Sequence, residues 1–207
     1  MKKNKIIFFD FDGVIVNSCQ MSFEINKESI VDIEYSEIQK WGEGNVYNSK
    51  LRETFNDDHI RYYFEQYEQR VKEILPVEGM EEVFKKLISI GYRLVIVSSA
   101  DEKAIEIFLK KYSLDKYFIE ILARRAHTSK VEKFKMAFGK YKIKAKETLL
   151  VTDSVGDIKE AHEVKMKAIG VIWGLHEKER LEKNGADFIA EKPEDIIIGV
   201  KKILALN

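Results

Sequence analysis

One short stretch near the start of the chain constrains the fold more than any other. Residues 6–9 are four large apolar side chains, and they run directly into Asp10, Phe11, Asp12 and Gly13. A continuous apolar run of this length, closed by a glycine, is typical of a strand buried on both faces of a parallel sheet. Two like charges at the tip of such a strand repel each other unless a cation lies between them or one carboxyl holds a proton. The stretch therefore predicts a metal, a proton, or both, at the end of a central strand.

The rest of the chain alternates strand-like segments with helical patterns. Five further segments are short and rich in β-branched or aromatic residues, which predicts strands at residues 92–99, 117–122, 148–153, 167–172 and 186–190. Between most of them, apolar residues recur at helical spacing. This alternation indicates parallel βαβ units and therefore an α/β fold with a doubly wound parallel sheet.

One interval interrupts the alternation. Between Val16 and Leu75 the sequence contains no convincing strand, but it does contain helical apolar stripes and a turn-rich loop. We therefore predict a Rossmann-like core formed by residues 1–15 and 76–207. Residues 16–75 would form a small α-helical cap that emerges beside the two acids.

Composition narrows the class of protein. The 207 residues contain 35 Lys plus Arg and 35 Asp plus Glu, and this balance argues against a nucleic-acid partner recruited by overall charge. The single Cys19 excludes an internal disulfide framework and a cysteine-rich zinc site. No apolar run approaches the length of a membrane span or a secretory signal. We expect a cytoplasmic protein that has no membrane partner and is a monomer or a weak homodimer.

Polar side chains stand at, or follow, the carboxyl ends of four of the predicted strands. In open parallel sheets, ligands bind outside the carboxyl ends of the strands, so these side chains are expected to lie close together. Taken one at a time, the serines and aspartates after the later strands could be helix caps, and the lysine could be an ordinary surface residue. The pair of acids after the first strand is harder to explain, because a helix cap needs only one carboxylate. In chain order the set is Asp10 and Asp12, then Ser98 and Ser99, then Lys130, then Asp153 and Asp157.

The order of these motifs resembles the haloacid dehalogenase superfamily, especially its helical-cap phosphatases of the phosphoglycolate phosphatase type. The segment "DFDGV" at 10–14 is similar to the first family motif, and "TDSVGD" at 152–157 to the acidic fourth motif. Ser98 and Lys130 match the second and third motifs, which are short. The resemblance extends over nearly the whole chain and includes the usual ending of the family, here residues 167–196.

The resemblance implies an Mg²⁺-dependent phosphatase that hydrolyses a small phosphorylated metabolite through an aspartyl-phosphate. Asp10 would be the nucleophile, and Asp12 would be the general acid and then the base. The carboxylates of Asp10 and Asp153, with the backbone carbonyl of Asp12, would hold Mg²⁺, and Asp157 would support them. The phosphoryl oxygens would be bound by Ser98, Ser99 and Lys130.

Two parts of this assignment are left open. The family often has proline after the third-motif lysine, where this chain has Val131, so Lys133 is an alternative to Lys130. In the family, the loop that corresponds to residues 41–48 faces the leaving group of the substrate. Three weaker candidates for substrate contact are Trp41, Asn45 and Arg52. Without a role in substrate binding, they would be a loop anchor, a turn residue and a surface arginine, respectively.

Four other functions are weighed against the phosphatase. A haloacid dehalogenase needs no second acid, so Asp12 argues against it. A phosphomutase would keep the same core and differ in the cap, and the sequence leaves it open. A phosphoacceptor receiver carries its phosphorylated aspartate at the third strand, where residues 117–122 contain none. A non-catalytic phosphate-binding relative would not need the retained set of Asp10, Asp12, Lys130 and Asp153.

Overall fold

A six-stranded parallel sheet forms the centre of the computed structural model, which describes residues 5–30, 33–45 and 56–204. In chain order the strands are Lys5–Phe9 (β1), Tyr92–Val97 (β2), Phe118–Leu122 (β3), Thr148–Thr152 (β4), Lys167–Val171 (β5) and Phe188–Ala190 (β6). Their spatial order is β3-β2-β1-β4-β5-β6, and every adjacent pair is parallel. The chain reverses its direction of winding between β1 and β4, which is the topological switch point of a doubly wound sheet.

Helices follow most of the strands, as the alternation of patterns predicted. The described helices are Cys19–Ser29 (α1), Tyr35–Trp41 (α2), Asp57–Val71 (α3), Met80–Ser89 (α4), Glu102–Lys111 (α5), Lys130–Tyr141 (α6), Val155–Glu163 (α7), Lys178–Lys183 (α8) and Asp195–Leu204 (α9). The predicted α/β fold class is confirmed, and the strand bounds differ from the prediction by only one or two residues at most ends. No helix in this described part is both long and apolar enough to cross a membrane.

The opening apolar run is buried because helices cover both faces of β1. Ile6, Ile7, Phe8 and Phe9 have no exposed surface, and alternate residues point into two separate hydrophobic clusters. The ring of Phe9 packs edge-on against Phe84 of α4, with centroids 5.3 Å apart. On the opposite face Phe8 packs against Phe134 of α6, also at 5.3 Å. A strand enclosed in this way cannot alternate apolar with polar residues, which explains the unbroken run.

Helices α1, α2 and α3 occupy the described part of residues 16–75. There the strand pairing is limited to isolated bridges at Val16, and α3 is capped by Asn56, whose side chain accepts the N–H of His59 at 2.8 Å. Arg70 of α3 donates two hydrogen bonds of 2.7 Å to Glu28 of α1. These contacts make a helical pair at the carboxyl end of the sheet. The division into a core of 1–15 and 76–207 and a cap stays a prediction.

Candidate active site

Three of the predicted site residues meet where β1 and β4 end. Lys130, the first residue of α6, donates from Nζ to Asp10 Oδ2 at 2.6 Å and to Asp157 Oδ2 at 2.5 Å. The hydroxyl of Thr152 also donates to Asp157 Oδ2, at 2.7 Å. Asp10 follows β1 directly and donates its backbone N–H to the carbonyl of Val151 on β4. The switch point of the sheet therefore brings together residues that are far apart in the chain.

The electrostatics of this cluster are those of carboxylates held away from water. Burial raises the pKa of Asp10 well above its ordinary value, the Lys130 ammonium opposes this rise, and the Asp157 and Asp153 carboxylates add to it. Burial also raises the pKa of Asp153, to about 7. Burial alone would lower the pKa of Lys130, but Asp10 and Asp157 raise it above its ordinary value. The lysine is therefore a permanent cation in a site that has more carboxylates than cations.

Asp12 has a separate environment on the cap side of the site. Its Oδ1 accepts hydrogen bonds from the hydroxyls of Ser18 and of Tyr67 on α3. Burial raises the pKa of Asp12, and the two hydroxyl donors counter part of that rise. Tyr67 belongs to one of the helical apolar stripes of residues 16–75, and the sequence pattern did not assign it to the site. The available signal was its hydroxyl, because a buried tyrosine O–H usually needs a polar partner.

Two glycines make room for the Asp153 carboxylate. Its Oδ2 accepts the N–H of Leu175 at 2.8 Å. A Cβ added to Gly13, which has φ +69°, would lie 1.7 Å from this oxygen, and one added to Gly174 would lie 2.3 Å from it. Glycine adopts positive φ without a steric penalty, and it also leaves the volume that the carboxylate fills. The glycine that closes the opening motif is thus part of the site's construction.

The two predicted serines are placed differently. Ser99 lines the cavity above the acids. Ser98 is fully buried, and its Oγ accepts the N–H of Ala100 at 3.0 Å. A hydroxyl that accepts in this way retains a proton to donate. Both serines stay candidates for phosphoryl binding.

The two candidate lysines also have different positions. Lys133 is fully buried and donates from Nζ to the backbone carbonyl of Ser98 at 2.7 Å, whereas Lys130 reaches the carboxylates. Burial and the nearby Lys130 ammonium lower the pKa of Lys133 to about 8. The geometry favours Lys130 as the functional lysine and gives Lys133 the task of holding the loop after β2.

Methionine substitutions should separate the two lysines. Lys130→Met removes the cation between Asp10 and Asp157, and we expect it to lower kcat for an aryl phosphate at least about 100-fold, the range of a lost charge-stabilising donor. Lys133→Met is the matched control and should keep activity within about tenfold. Steady-state kinetics of the two purified variants, with thermal melting to show that both fold, would test this. Equal losses in both variants would contradict the assignment.

Mg²⁺ fits the chemistry of the donor set. It binds oxygen ligands, keeps several waters and typically uses one or two protein carboxylates. Within the described ranges, no group of three or more His, Cys, Asp or Glu residues forms a metal site by side chains alone. Two carboxylates, Asp10 and Asp153, with the Asp12 carbonyl and water would meet the requirement of Mg²⁺. Burial and the neighbouring carboxylates raise the pKa values of both Asp10 and Asp153, and a cation bound by the two groups would favour their ionised forms.

A cavity of about 280 Å³ lies between the acids and the helices α1–α3. Asp10, Asp12 and Asp153 border it on the sheet side, and both Trp41 and Asn45 border it on the cap side. The predicted candidate Arg52 and residues 46–48 of the predicted loop lie outside the described residues.

Glu160 connects the cap loop to α6, and sequence reasoning did not identify it. Its Oε1 accepts hydrogen bonds from Asn45 Nδ2 at 3.0 Å, Ser129 Oγ at 3.1 Å and the backbone N–H of Lys130 at 3.1 Å. A carboxylate at this position satisfies an N-terminal donor of α6 and interacts favourably with the helix dipole. A single glutamate on a helix face gives no sequence signal for such a role.

The last turn of α2 and the loop after it pack closely on the core. The N–H of Gly156 donates to the carbonyl of Gly42 at 2.7 Å, and the buried His176 donates from Nε2 to the carbonyl of Gln39 at 2.8 Å. Lys159 donates to the carbonyl of Glu43 at 2.9 Å. These contacts close one side of the cavity over the acids.

The sequence and the fold of this chain are similar to those of known hydrolases. Residues 7–171 match the family described as haloacid dehalogenase-like hydrolase. A phosphoglycolate phosphatase of Synechococcus elongatus is 21% identical over 96% of this chain and 98% of its own length. A phosphoserine phosphatase of Methanocaldococcus jannaschii is 31% identical over 76% of this chain and 81% of its own length. The crystal structure of a predicted phosphatase from Clostridium acetobutylicum superposes with a TM-score of 0.82 at 21% identity, covering 96% and 99% of the two chains.

The chain belongs to the haloacid dehalogenase-like hydrolase family. Its relatives in this comparison are named as phosphatases, and the chain is accordingly an enzyme of the phosphoric monoester hydrolase class.

Proposed function

We propose that this phosphatase hydrolyses a small phosphomonoester through an aspartyl-phosphate on Asp10, with Mg²⁺ as its metal. One observation carries the proposal: Asp10, Asp12, Lys130 and Asp153 all border one cavity at the carboxyl end of the sheet. Phosphate-monoester hydrolysis is among the slowest uncatalysed reactions, so a site of this kind must neutralise charge and align the attacking group.

Asp10 is the proposed nucleophile because it stands at the end of β1 with its side chain fixed. Its Oδ2 is held by Lys130, and its Oδ1 accepts the N–H of Phe11 at 2.7 Å. Attack by a carboxylate oxygen on the phosphorus would form the phospho-enzyme and expel the alcohol. A second step would return Asp10 when water attacks the phosphorus.

Asp12 is the proposed proton donor and acceptor. Its raised pKa keeps a larger share of the carboxyl protonated near neutral pH, which suits a group that must protonate a leaving alkoxide. Once it has lost that proton, the same carboxylate can remove one from the water that attacks the phospho-enzyme. The hydroxyls of Ser18 and Tyr67 fix its orientation.

Three kinds of group would bind the phosphoryl oxygens: an ammonium, two hydroxyls and a metal ion. Lys130 supplies a fixed ammonium, and Ser98 and Ser99 supply hydroxyl donors on the loop after β2. Bound by Asp10, Asp153 and the Asp12 carbonyl, Mg²⁺ would supply Lewis-acid neutralisation of the phosphoryl charge.

Removal of the metal tests the proposal. With an aryl phosphate as substrate, phosphate release is expected to vanish in excess chelator and to return when Mg²⁺ exceeds the chelator. The Asp153→Asn variant is the matched control, because it removes one proposed ligand and should need a higher Mg²⁺ concentration for half-maximal activity. Full activity of the parent enzyme in excess chelator, with no bound metal found by elemental analysis, would refute the metal dependence.

A further inference from the structure

Helix α6 begins at Lys130, but its own N-cap residue does not cap it. Ser129 stands at the N-cap position, and its side chain accepts no hydrogen bond from the first turn. Its hydroxyl donates instead to Glu160 Oε1 of α7, at 3.1 Å. The same oxygen accepts the backbone N–H of Lys130, also at 3.1 Å. A neighbouring helix thus satisfies one of the N-terminal donors of α6, a task that usually falls to the N-cap side chain.

This backbone contact matters because Lys130 is also fixed at the other end of its side chain. Its Nζ donates to Asp10 Oδ2 at 2.6 Å and to Asp157 Oδ2 at 2.5 Å, and the residue is 3% exposed. In a closely packed interior the side chain has little room to rearrange if the first turn of α6 moves. Misplacement of a group in an active site by about 1 Å can lower the rate about 100-fold.

The cap loop contacts the same carboxylate oxygen. Asn45 Nδ2 donates to Glu160 Oε1 at 3.0 Å and to the carbonyl of Thr128 at 3.3 Å. Asn45 therefore holds both Glu160 and the segment that leads into α6. The backbone of this loop is held to α7 as well, through the hydrogen bond from Gly156 to Gly42. The packing of the cap loop and the placement of α6 thus depend on one acceptor.

We propose that Glu160 is a positioning residue, which fixes the first turn of α6 and so the ammonium of Lys130, while Asn45 of the cap loop holds the Glu160 carboxylate in place. The inference rests on the proposed phosphatase function and adds a residue that acts through Lys130 rather than on the substrate. The donors from Asn45, Ser129 and the Lys130 backbone are all neutral. The contact therefore requires an acceptor oxygen at this position rather than a negative charge.

Three substitutions separate the reach of the Glu160 side chain from its charge. Glu160→Ala removes the acceptor, and Glu160→Asp keeps the charge but withdraws the oxygen by one carbon–carbon bond, about 1.5 Å. Both are expected to lower kcat for an aryl phosphate about tenfold and to leave KM within about twofold, because the positioned cation acts mainly in the transition state. Glu160→Gln keeps an acceptor oxygen at full reach and should keep kcat within about threefold of the parent.

A second glutamate of α7 provides the matched control. Glu163 is exposed and is not among the described residues that line the cavity, so Glu163→Ala should have the kcat of the parent. Thermal melting of every variant would show that the assay is run on folded protein. If Glu160→Ala is unfolded at the assay temperature, Glu160→Asp decides the test, because it keeps the charge and most of the side chain.

The Lys130→Met background separates positioning from a general effect on the structure. If Glu160 acts through the ammonium, adding Glu160→Ala to Lys130→Met should lower the residual kcat less than about twofold, against about tenfold in the parent. A substitution that merely loosened the fold would lower kcat by the same factor in both backgrounds. The residual rate is measured with the enzyme concentration raised in proportion to the lost activity.

Asn45→Ala tests the link to the cap. Alone it is expected to lower kcat about fivefold, and in the Glu160→Ala background less than about twofold, because both changes break one chain of hydrogen bonds. If Asn45 bound the substrate directly, its loss would appear mainly in KM and would persist in the Glu160→Ala background.

Each outcome bears on a different part of the proposal. Parent-like kcat in Glu160→Ala and Glu160→Asp would overturn the inference and leave the phosphatase proposal intact. A loss in Glu160→Gln as large as that in Glu160→Ala would show that the charge is required and would overturn the positioning role. Equal factors in the parent and Lys130→Met backgrounds would overturn the action through Lys130, and additive losses with Asn45→Ala would overturn the link to the cap. If the parent enzyme with Mg²⁺ hydrolysed no aryl phosphate, the proposed function itself would fail.

Discussion

Asp10→Asn is expected to abolish the covalent phospho-enzyme and, with it, turnover of every phosphomonoester. An amide nitrogen and oxygen replace the carboxylate that attacks phosphorus, and the Lys130 ammonium then has no ionised group at this position to hold. Intact-protein mass after acid quenching would show a phosphorylated fraction in the parent enzyme and none in the variant. Steady-state phosphate release should fall to background.

The variant should fold, which makes its loss of activity interpretable. Burial raises the pKa of Asp10, so the neutral amide removes a costly buried charge, and Lys130 keeps Asp157 as its partner. A thermal midpoint close to that of the parent is therefore expected. If Asp10→Asn had the same phosphorylated fraction as the parent, another residue would have to be the nucleophile.

Asp12→Asn should produce a large loss that depends on the leaving group. An asparagine at this position cannot protonate an alkoxide or activate water, and a general acid–base residue typically contributes about 10²–10⁴-fold. With an alkyl phosphate, kcat is expected to fall within that range. The loss should be smaller with an aryl phosphate, whose leaving group is a weaker base, as long as chemistry limits the rate.

Metal binding gives the control for this second variant. The proposed ligand from residue 12 is its backbone carbonyl, so the Mg²⁺ concentration for half-maximal activity should be nearly unchanged in Asp12→Asn. Tyr67→Phe, which removes one hydroxyl donor to Asp12 and keeps the ring, should lower kcat much less than Asp12→Asn. If Asp12→Asn hydrolysed an alkyl phosphate as fast as the parent enzyme, Asp12 could not be the residue that transfers the proton.

The sheet could be predicted because local patterns decide it. Residues 6–9 form an unbroken apolar run because both faces of β1 are covered, and five more segments of similar kind became β2 to β6. The convergence of Asp10 and Asp153 could also be predicted, because parallel topology brings the carboxyl ends of the strands to one edge. These are consequences of periodicity and topology alone.

Contacts between the cap and the core could not be predicted in the same way. Tyr67 and Ser18 reach Asp12, and Glu160 reaches Asn45, only because helices separated in sequence pack at particular angles. Hydrophobic periodicity shows which face of a helix is buried but not which polar atom at the end of a side chain finds a partner. The choice between Lys130 and Lys133 was open for a related reason, since both lie within the first turn of α6.

The glycines that enclose Asp153 bear on how a mutational scan of this enzyme would be interpreted. Any side chain at Gly13 or Gly174 would collide with the carboxylate oxygen and displace it, so both positions should score as intolerant as the aspartate. A growth or turnover screen would then count two residues without functional groups among the catalytic ones. Pairing each activity score with protein abundance separates the two classes. Asp153→Asn should have low activity when Mg²⁺ is limiting yet remain abundant, whereas alanine at either glycine should lower both scores, since the steric conflict also destabilises the fold.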